Sequence, residues 1–323
     1  MSRILVTGAC GFIGHAVVKS LREQGHIICG TTRDKTAKRG PENIPLYLVP
    51  KLDKDTDWDH VIAGADVIVH LAARVHEMGK QTNREQKEYF TVNEEGTEKL
   101  VLAAVDAGVK RFVFISTIKV NGEKTHGRPF TENDEPNPKD VYSISKYNAE
   151  KTLLKIQKST GIELIILRVP LVYGPRVKGN FHTLLRACFR RKLLPLKSIK
   201  NCRSFLYVEN LASAITRCVS KPNTGSKIYL LSDGVDISTP KLIEIVSFFL
   251  DVRPHLFYIP LGLLFLLGRL FGKLAVVERL TDSLQVDSSL IRQELDWSPP
   301  FSVEEGMKRT LEWFNEQQRY AKK

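Results

Sequence analysis

The sequence predicts an α/β fold, a doubly wound parallel sheet with a smaller lobe supplied by the second half of the chain. Three observations predict it. An apolar strand at residues 4–6 runs straight into a turn with glycines at positions 8, 11 and 14, and a helical pattern follows. Strand and helix patterns then alternate through the first half, which implies βα units with right-handed crossovers. Several strands are unbroken apolar runs, as expected of parallel strands covered on both faces.

In chain order, the opening strand leads to a helix over 15–24, strands over 26–32 and 46–49, and a short helix near 58–63. A buried strand over 66–71 precedes a long helix over 85–107, with apolar positions at Leu100, Leu102, Ala103 and Val105. A strand over 111–115, a helix over 141–157 and a strand over 163–167 complete this half. A turn-rich stretch follows, containing Pro170, Gly174, Pro175 and Gly179. Beyond it, short strands (203–208, 227–231) alternate with helices (210–219, 240–250, 303–317). The expected division is a nucleotide-binding domain over 1–170 and a ligand-embracing lobe over 171–323, with some of the lobe's elements returning to the main sheet. Residues 320–323 read as a frayed end.

At 323 residues, with 42% hydrophobic and 26% charged residues, the chain has the composition of a soluble globular protein. The net charge of +12 is scattered, and its densest cluster, residues 186–192, is one helix face wide. Such a spread suits a positive field for anionic small molecules better than a nucleic-acid interface. Five cysteines, with no metal or redox spacing, point to a reducing cytoplasm and no metal site. The chain opens on a strand, so no signal peptide is expected. The apolar run at 259–272 falls short of the roughly 20 residues a span requires. It is expected to be a buried or interfacial helix, peripheral membrane contact being the lesser alternative.

Chemistry concentrates at strand C-terminal ends, where open α/β sheets bind ligands. Gly8 permits the tight turn, Gly11 brings backbone close to a pyrophosphate, and Gly14 packs helix on strand. The helix N-terminus then offers free N–H groups and positive dipole to the anion. The spacing is Gly-x-x-Gly-x-x-Gly rather than Gly-x-Gly-x-x-Gly. At the next strand's tip stands Arg33, followed by Asp34. Arginine there suits a ribose 2′-phosphate, so NADP(H) is favoured and NAD(H) is the alternative. Ser116 and Thr117 end a later strand, and Tyr142 and Lys146 lie one helical turn apart. A nearby ammonium stabilises phenolate, so Lys146 is expected to lower Tyr142 from its usual pKa of about 10, making it a proton donor or acceptor. Thr117 is placed to hold the same reacting oxygen.

With these motifs the chain resembles, nearly end to end, the extended short-chain dehydrogenase/reductases of the NAD-dependent epimerase/dehydratase group. The resemblance rests on Thr7-Gly8-x-x-Gly11-Phe12-Ile13-Gly14, His70-Leu71-Ala72-Ala73, Asn93-x-x-Gly96-Thr97, Ser116-Thr117, Tyr142-x-x-x-Lys146, Arg168-x-Pro170-x-x-Tyr173-Gly174-Pro175 and Arg203-Ser-Phe-Leu-Tyr-Val. It implies a Rossmann-type fold in which Gly8, Gly11, Phe12, Ile13 and Gly14 cradle the pyrophosphate. Leu71, Ala72 and Ala73 would line the cofactor, with Asn93 in support and Lys146 on the nicotinamide ribose. Thr117 and Tyr142 would contact the sugar's reacting oxygen. Asn180, Arg203 and Arg279 would hold a nucleotide diphosphate, the two arginines by their planar fork. Where many members carry an adenine-reading acid this chain has Val49-Pro50-Lys51-Leu52, leaving that contact to backbone around Leu52.

The stretch Ile118-Lys119-Val120 lacks the acid pair of sugar 4,6-dehydratases, so that reaction is not expected. Leu71-Ala-Ala-Arg74-Val-His76-Glu-Met78, the Ile118–Glu123 stretch and Val172-Tyr-Gly-Pro-x-Val177-Lys-Gly-Asn-Phe181 are similar to bacterial 4-keto reductases of surface-polysaccharide synthesis, a branch often described as UDP-glucose 4-epimerase-like. The first expectation is therefore NADP(H)-dependent reduction of a UDP-4-keto-6-deoxy-N-acetylhexosamine. The second is a UDP-hexose 4-epimerase using the same residues. A non-catalytic cofactor- or RNA-binding scaffold is a third, disfavoured because Thr117, Tyr142 and Lys146 are all present. A homodimer, through the helices after Glu85 and Val141, is implied by the resemblance alone.

Overall fold

A computed structural model describes residues 1–75, 82–222 and 225–320. His76, Glu77 and Met78, and residues 321–323, lie outside the described residues. Nine strands are assigned among them: β1 (Arg3–Thr7), β2 (Ile27–Thr32), β3 (Leu46–Leu48), β4 (Val67–His70), β5 (Arg111–Thr117), β6 (Glu163–Val169), β7 (Leu171–Tyr173), β8 (Phe205–Tyr207) and β9 (Lys227–Leu230). The helices of the first half are α1 (Phe12–Glu23), α2 (Asp59–Ile62), α3 (Asn83–Phe90), α4 (Gly96–Asp106) and α5 (Val141–Thr160). Those of the second are α6 (Gly179–Phe189), α7 (Val208–Ser220), α8 (Thr239–Phe249), α9 (Leu261–Leu270), α10 (Leu274–Thr281), α11 (Ser289–Leu295) and α12 (Val303–Tyr320).

Seven strands form a parallel sheet in the order β3-β2-β1-β4-β5-β6-β9. Its strands are apolar throughout because both faces are covered. Ile4, Val6, Val69 and Val113 pack beneath α1, α7 and α11, while Leu5, Ile68, Phe112 and Phe114 pack beneath α2, α4 and α5. Strand order reverses between β1 and β4, so the crevice that open α/β sheets use for ligands lies beyond Thr7 and His70. A second core joins β7 and β8, a parallel pair, to α6, α8, α9, α10 and α12.

Three differences from the sequence expectation matter for the site. The long helix expected over 85–107 forms, but a π turn at Thr91–Glu95 lies within it, between α3 and α4. Past that turn the buried face is Leu100, Val101 and Ala104, whereas Leu102 is exposed. The turn-rich stretch after Pro170 contains β7 and leads into α6. Among the described residues no helix is long and apolar enough to cross a membrane.

Candidate active site

The glycine turn forms as its spacing requires. Gly8 adopts φ +70, and a Cβ on it would lie 3.0 Å from the Ala72 nitrogen. A Cβ on Gly14 would come within 2.3 Å of the Gly8 carbonyl oxygen, so only glycine lets α1 start so close to β1. Gly11 caps α1 without any side-chain hydrogen bond, and the first turn carries no acid. The amides of Phe12, Ile13 and Gly14 therefore face outward with their dipole uncompensated, a cradle that fits a dinucleotide pyrophosphate. Across from it, Arg176, Val177, Lys178 and His182 close a cleft of 510 Å³ together with Cys10, Phe12, His15 and Trp313. Sequence reading missed this basic wall; its signal was the positions directly after Tyr173-Gly174-Pro175.

A buried hydrogen-bond chain fixes the crevice floor. His70 Nδ1 pairs with Thr7 Oγ1 at 2.7 Å and its Nε2 with Thr97 Oγ1 at 3.0 Å. Burial, aided by the charge of Lys146, holds this imidazole neutral, its pKa lowered to about 3. Thr7 Oγ1 also accepts the Ala72 N–H at 3.2 Å, shaping the Leu71-Ala72-Ala73 strand exit. Asn93, buried in the π turn, accepts the Arg74 N–H at 2.8 Å and donates to the Arg74 carbonyl at 3.0 Å. Its amide also donates to Ser145 Oγ at 2.9 Å, and Ser145 in turn donates to the Tyr142 carbonyl at 2.8 Å. Asn93 is thus a clamp between the strand exit and the first turn of α5. Gly96, just past it, lets α4 approach the backbone at Leu52 and Asp53, with 3.0 Å left for any Cβ.

Thr117 ends β5 and its hydroxyl accepts the Lys119 N–H at 3.3 Å. Lys119 donates to Asp140 at 2.7 Å and to Glu123 at 3.1 Å. Asp140 is the N-cap of α5, accepting the Ser143 N–H at 2.7 Å. The turn after Thr117 is thereby tied to the turn that carries Tyr142, at the position where dehydratases have acids. Behind both, Ser116 donates to Glu150, and Arg168 holds the same carboxylate at 2.6 Å and donates to Asn121 at 3.0 Å. This buried cluster joins the ends of β5 and β6 to α5.

One electrostatic expectation needs correction. Burial raises Tyr142 well above the ordinary phenol value, and the charges of Asp140 and of the Tyr89 phenol, when ionised, add to it. Lys146 is not among the influences on Tyr142, and burial lowers its own pKa to about 7, against a smaller opposing effect of Glu150. Its Nζ sits 3.8 Å from the centre of the Phe114 ring, a cation–π position.

The remaining predicted residues fall elsewhere. Arg33 is exposed just past β2, and the neighbouring Asp34 carboxylate is engaged by the Thr36 N–H and hydroxyl at 2.8 and 2.7 Å. Asn180 is exposed in the first turn of α6. Arg203 donates through Nη1 to the carbonyls of Arg279 and Asp282 at 2.8 and 3.1 Å, capping the C-terminal end of α10. The structure therefore brings Arg203 and Arg279 together, and the charge of Glu123 acts on Arg203 from the Lys119 side.

Residues 4–232 match the NAD dependent epimerase/dehydratase family. Over 314 residues the chain is 39% identical to the UDP-glucose 4-epimerase of Vibrio cholerae, covering 96% of this chain and 95% of that one. Its fold superposes on the Thermus thermophilus UDP-glucose 4-epimerase in complex with NAD with a TM-score of 0.77, at 24% identity over 97% of this chain and 99% of that one. The Bacillus cereus UDP-glucuronic acid 4-epimerase in complex with NAD gives 0.79, at 21% identity over 98% and 99%. With its glycine turn, strand exit and Tyr142–Lys146 helix in this arrangement, the chain is an enzyme that belongs to the NAD dependent epimerase/dehydratase family.

Proposed function

We propose that the protein is an NAD-dependent 4-epimerase of a UDP-hexose. The near full-length relationship to the Vibrio cholerae UDP-glucose 4-epimerase carries this reading over the reductase. Gly8, Gly11, Phe12, Ile13 and Gly14 would hold NAD, which would accept the hydride and return it. Tyr142 takes the proton of the sugar's 4-hydroxyl and returns it after the ring has turned. The step requires Tyr142 as phenolate, which burial disfavours, so the tyrosine needs a nearby cation to give up its own proton, and Lys146 lies on the same helix face one turn away. Thr117 steadies the oxygen from the end of β5. Arg203 and Arg279 would take the nucleotide diphosphate, and the reading includes a homodimer paired through the helices after Glu85 and Val141. NAD is preferred to NADP here because solved relatives of this fold hold NAD, whereas only Arg33 argues for the phosphate.

The test is an assay of UDP-glucose and UDP-N-acetylglucosamine with substoichiometric NAD, read by NMR. Interconversion at carbon 4 with no net cofactor consumption is expected. Stoichiometric loss of NADPH with a UDP-4-keto-6-deoxy-N-acetylhexosamine, and no epimerisation, would replace this reading with the reductase. Tyr142→Phe should lower turnover about 1000-fold while cofactor affinity stays within twofold. Loss of cofactor binding instead would make the tyrosine structural.

A further inference from the structure

The surface of the second half carries an apolar face that neither the cofactor cleft nor the core uses. Tyr258, Leu270 and Phe271 are 68%, 70% and 72% exposed, and Leu263 and Leu266 are exposed beside them. On α9, positions 263, 266 and 270 share one helical face, whereas Leu264 and Gly268 point inward. Gly268 lies so near α10 that a Cβ would be 2.7 Å from Val277 Cγ2. The helix is therefore seated, and its outer leucines cannot be hidden by a rotation.

Along the two stretches of chain that form this face the charge is of one sign, with Asp251 and Glu278 standing just outside the second. The Phe257 N–H donates to the Leu194 carbonyl at 3.1 Å and the Lys197 N–H to the Phe257 carbonyl at 3.2 Å, so the segment after Arg190, Arg191 and Lys192 runs beside the one leading into α9. Residues 189–200 contain five lysines and arginines and residues 252–277 three, with no aspartate or glutamate in either stretch. These eight leave 40 basic against 36 acidic residues in the rest of the chain, so two thirds of the net charge of +12 sits here.

We propose that this face docks reversibly on an anionic lipid bilayer, with the outer leucines of α9 and Phe271 in the headgroup–acyl boundary and the cations on the headgroups. At 10 residues α9 is far below the roughly 20 needed to span, which makes the contact interfacial. A bilayer offers apolar depth and negative charge together over a wide area. The inference stands apart from the carbon-4 chemistry and does not depend on it.

Full-length protein sedimented with vesicles of phosphatidylcholine, alone or mixed with phosphatidylglycerol, tests this. Binding to the mixed vesicles, weakening as salt rises, is expected, with far less binding to phosphatidylcholine alone. The combined variant L266S, L270S, F271S should lose about 100-fold in partitioning. The combined variant R190E, R191E, K192E should lose at least about 100-fold, at about fivefold per cation removed. All six positions are exposed, so melting should match the parent. Should either combination fail to fold, Phe271→Ser alone is expected to lose about tenfold. Absence of binding to either vesicle, or binding that the variants retain, overturns the proposal. A solution mass that falls in the leucine–phenylalanine variant, without vesicle binding in the parent, also overturns it and makes the face a contact between copies.

Discussion

The two regions into which the candidate site residues fall are built by opposite means. On the β1–β4 side, Thr7, His70, Thr97 and Asn93 are all buried, and neutral hydrogen bonds link them in one chain. On the α10 side, a cationic guanidinium caps backbone carbonyls, and Lys119, Glu123 and Asp140 form a partly exposed charge network. The hydrogen-bonded chain carries no charge of its own, with the Lys146 ammonium acting on it from nearby, which suits a ligand held by shape and hydrogen bonds. The charged side responds to solvent, salt and an incoming anion, which suits a substrate that must enter and leave.

The contrast breaks most visibly at the glycines. Gly14→Ala forces a methyl group against the Gly8 and Ala9 carbonyls, where 2.3 and 2.4 Å are available. Unfolding free energy should fall by about 2–3 kcal/mol and cofactor affinity by at least 100-fold. Gly262, in the first turn of α9, has nothing within 4 Å of its Cβ direction. Gly262→Ala should be neutral or stabilise by up to about 1 kcal/mol in urea unfolding. Equal effects at the two positions would mean that the turn is less tightly constrained than its geometry indicates.

Acid should reach the neutral side first through His70. Its folded-state pKa is lowered to about 3 from an ordinary 6.5. Between those values the unfolded chain binds the extra proton, so stability rises with pH in this window and is lost as pH falls from 6.5. From pH 6.5 to about 4.5 the loss attributable to His70 is about 2–3 kcal/mol. His70→Gln should be less stable at neutral pH but should flatten this part of the urea-midpoint profile. Parallel profiles for parent and variant would show that other groups govern acid unfolding.

What was legible in the sequence follows the same division. The glycine turn, the apolar parallel strands and the Tyr142–Lys146 pair are each written in a few consecutive residues, where backbone periodicity alone decides the geometry. Asn93 was legible as a supporting residue, but its clamp was not, because it depends on a π turn that no spacing announces and on Arg74 and Ser145, 19 and 52 positions away. Lys119 read as the absence of an acid; its bond to the N-cap of the tyrosine helix crosses 21 positions. The long apolar run was visible, yet which of its leucines turn outward depends on how α10 packs against Gly268.

Arg203 is where the charged side is most sharply testable, because two roles predict different kinetics. Its Nη1 bonds lie at the negative end of the α10 dipole, and of the two carbonyls it holds, that of Asp282 keeps the Asn201 side-chain amide at 3.2 Å when the guanidinium is removed. Arg203→Ala should cost about 1–2 kcal/mol in urea and speed amide exchange in α10. If the same guanidinium also receives the diphosphate, KM for the UDP-sugar should rise about tenfold with kcat within twofold, the mark of lost uniform binding. Arg203→Lys should restore part of the stability and little of the KM, since an ammonium lacks the fork. An unchanged KM in both variants would leave Arg203 as a helix cap and move the phosphate contact to Arg279 and the basic wall at Arg176 and Lys178.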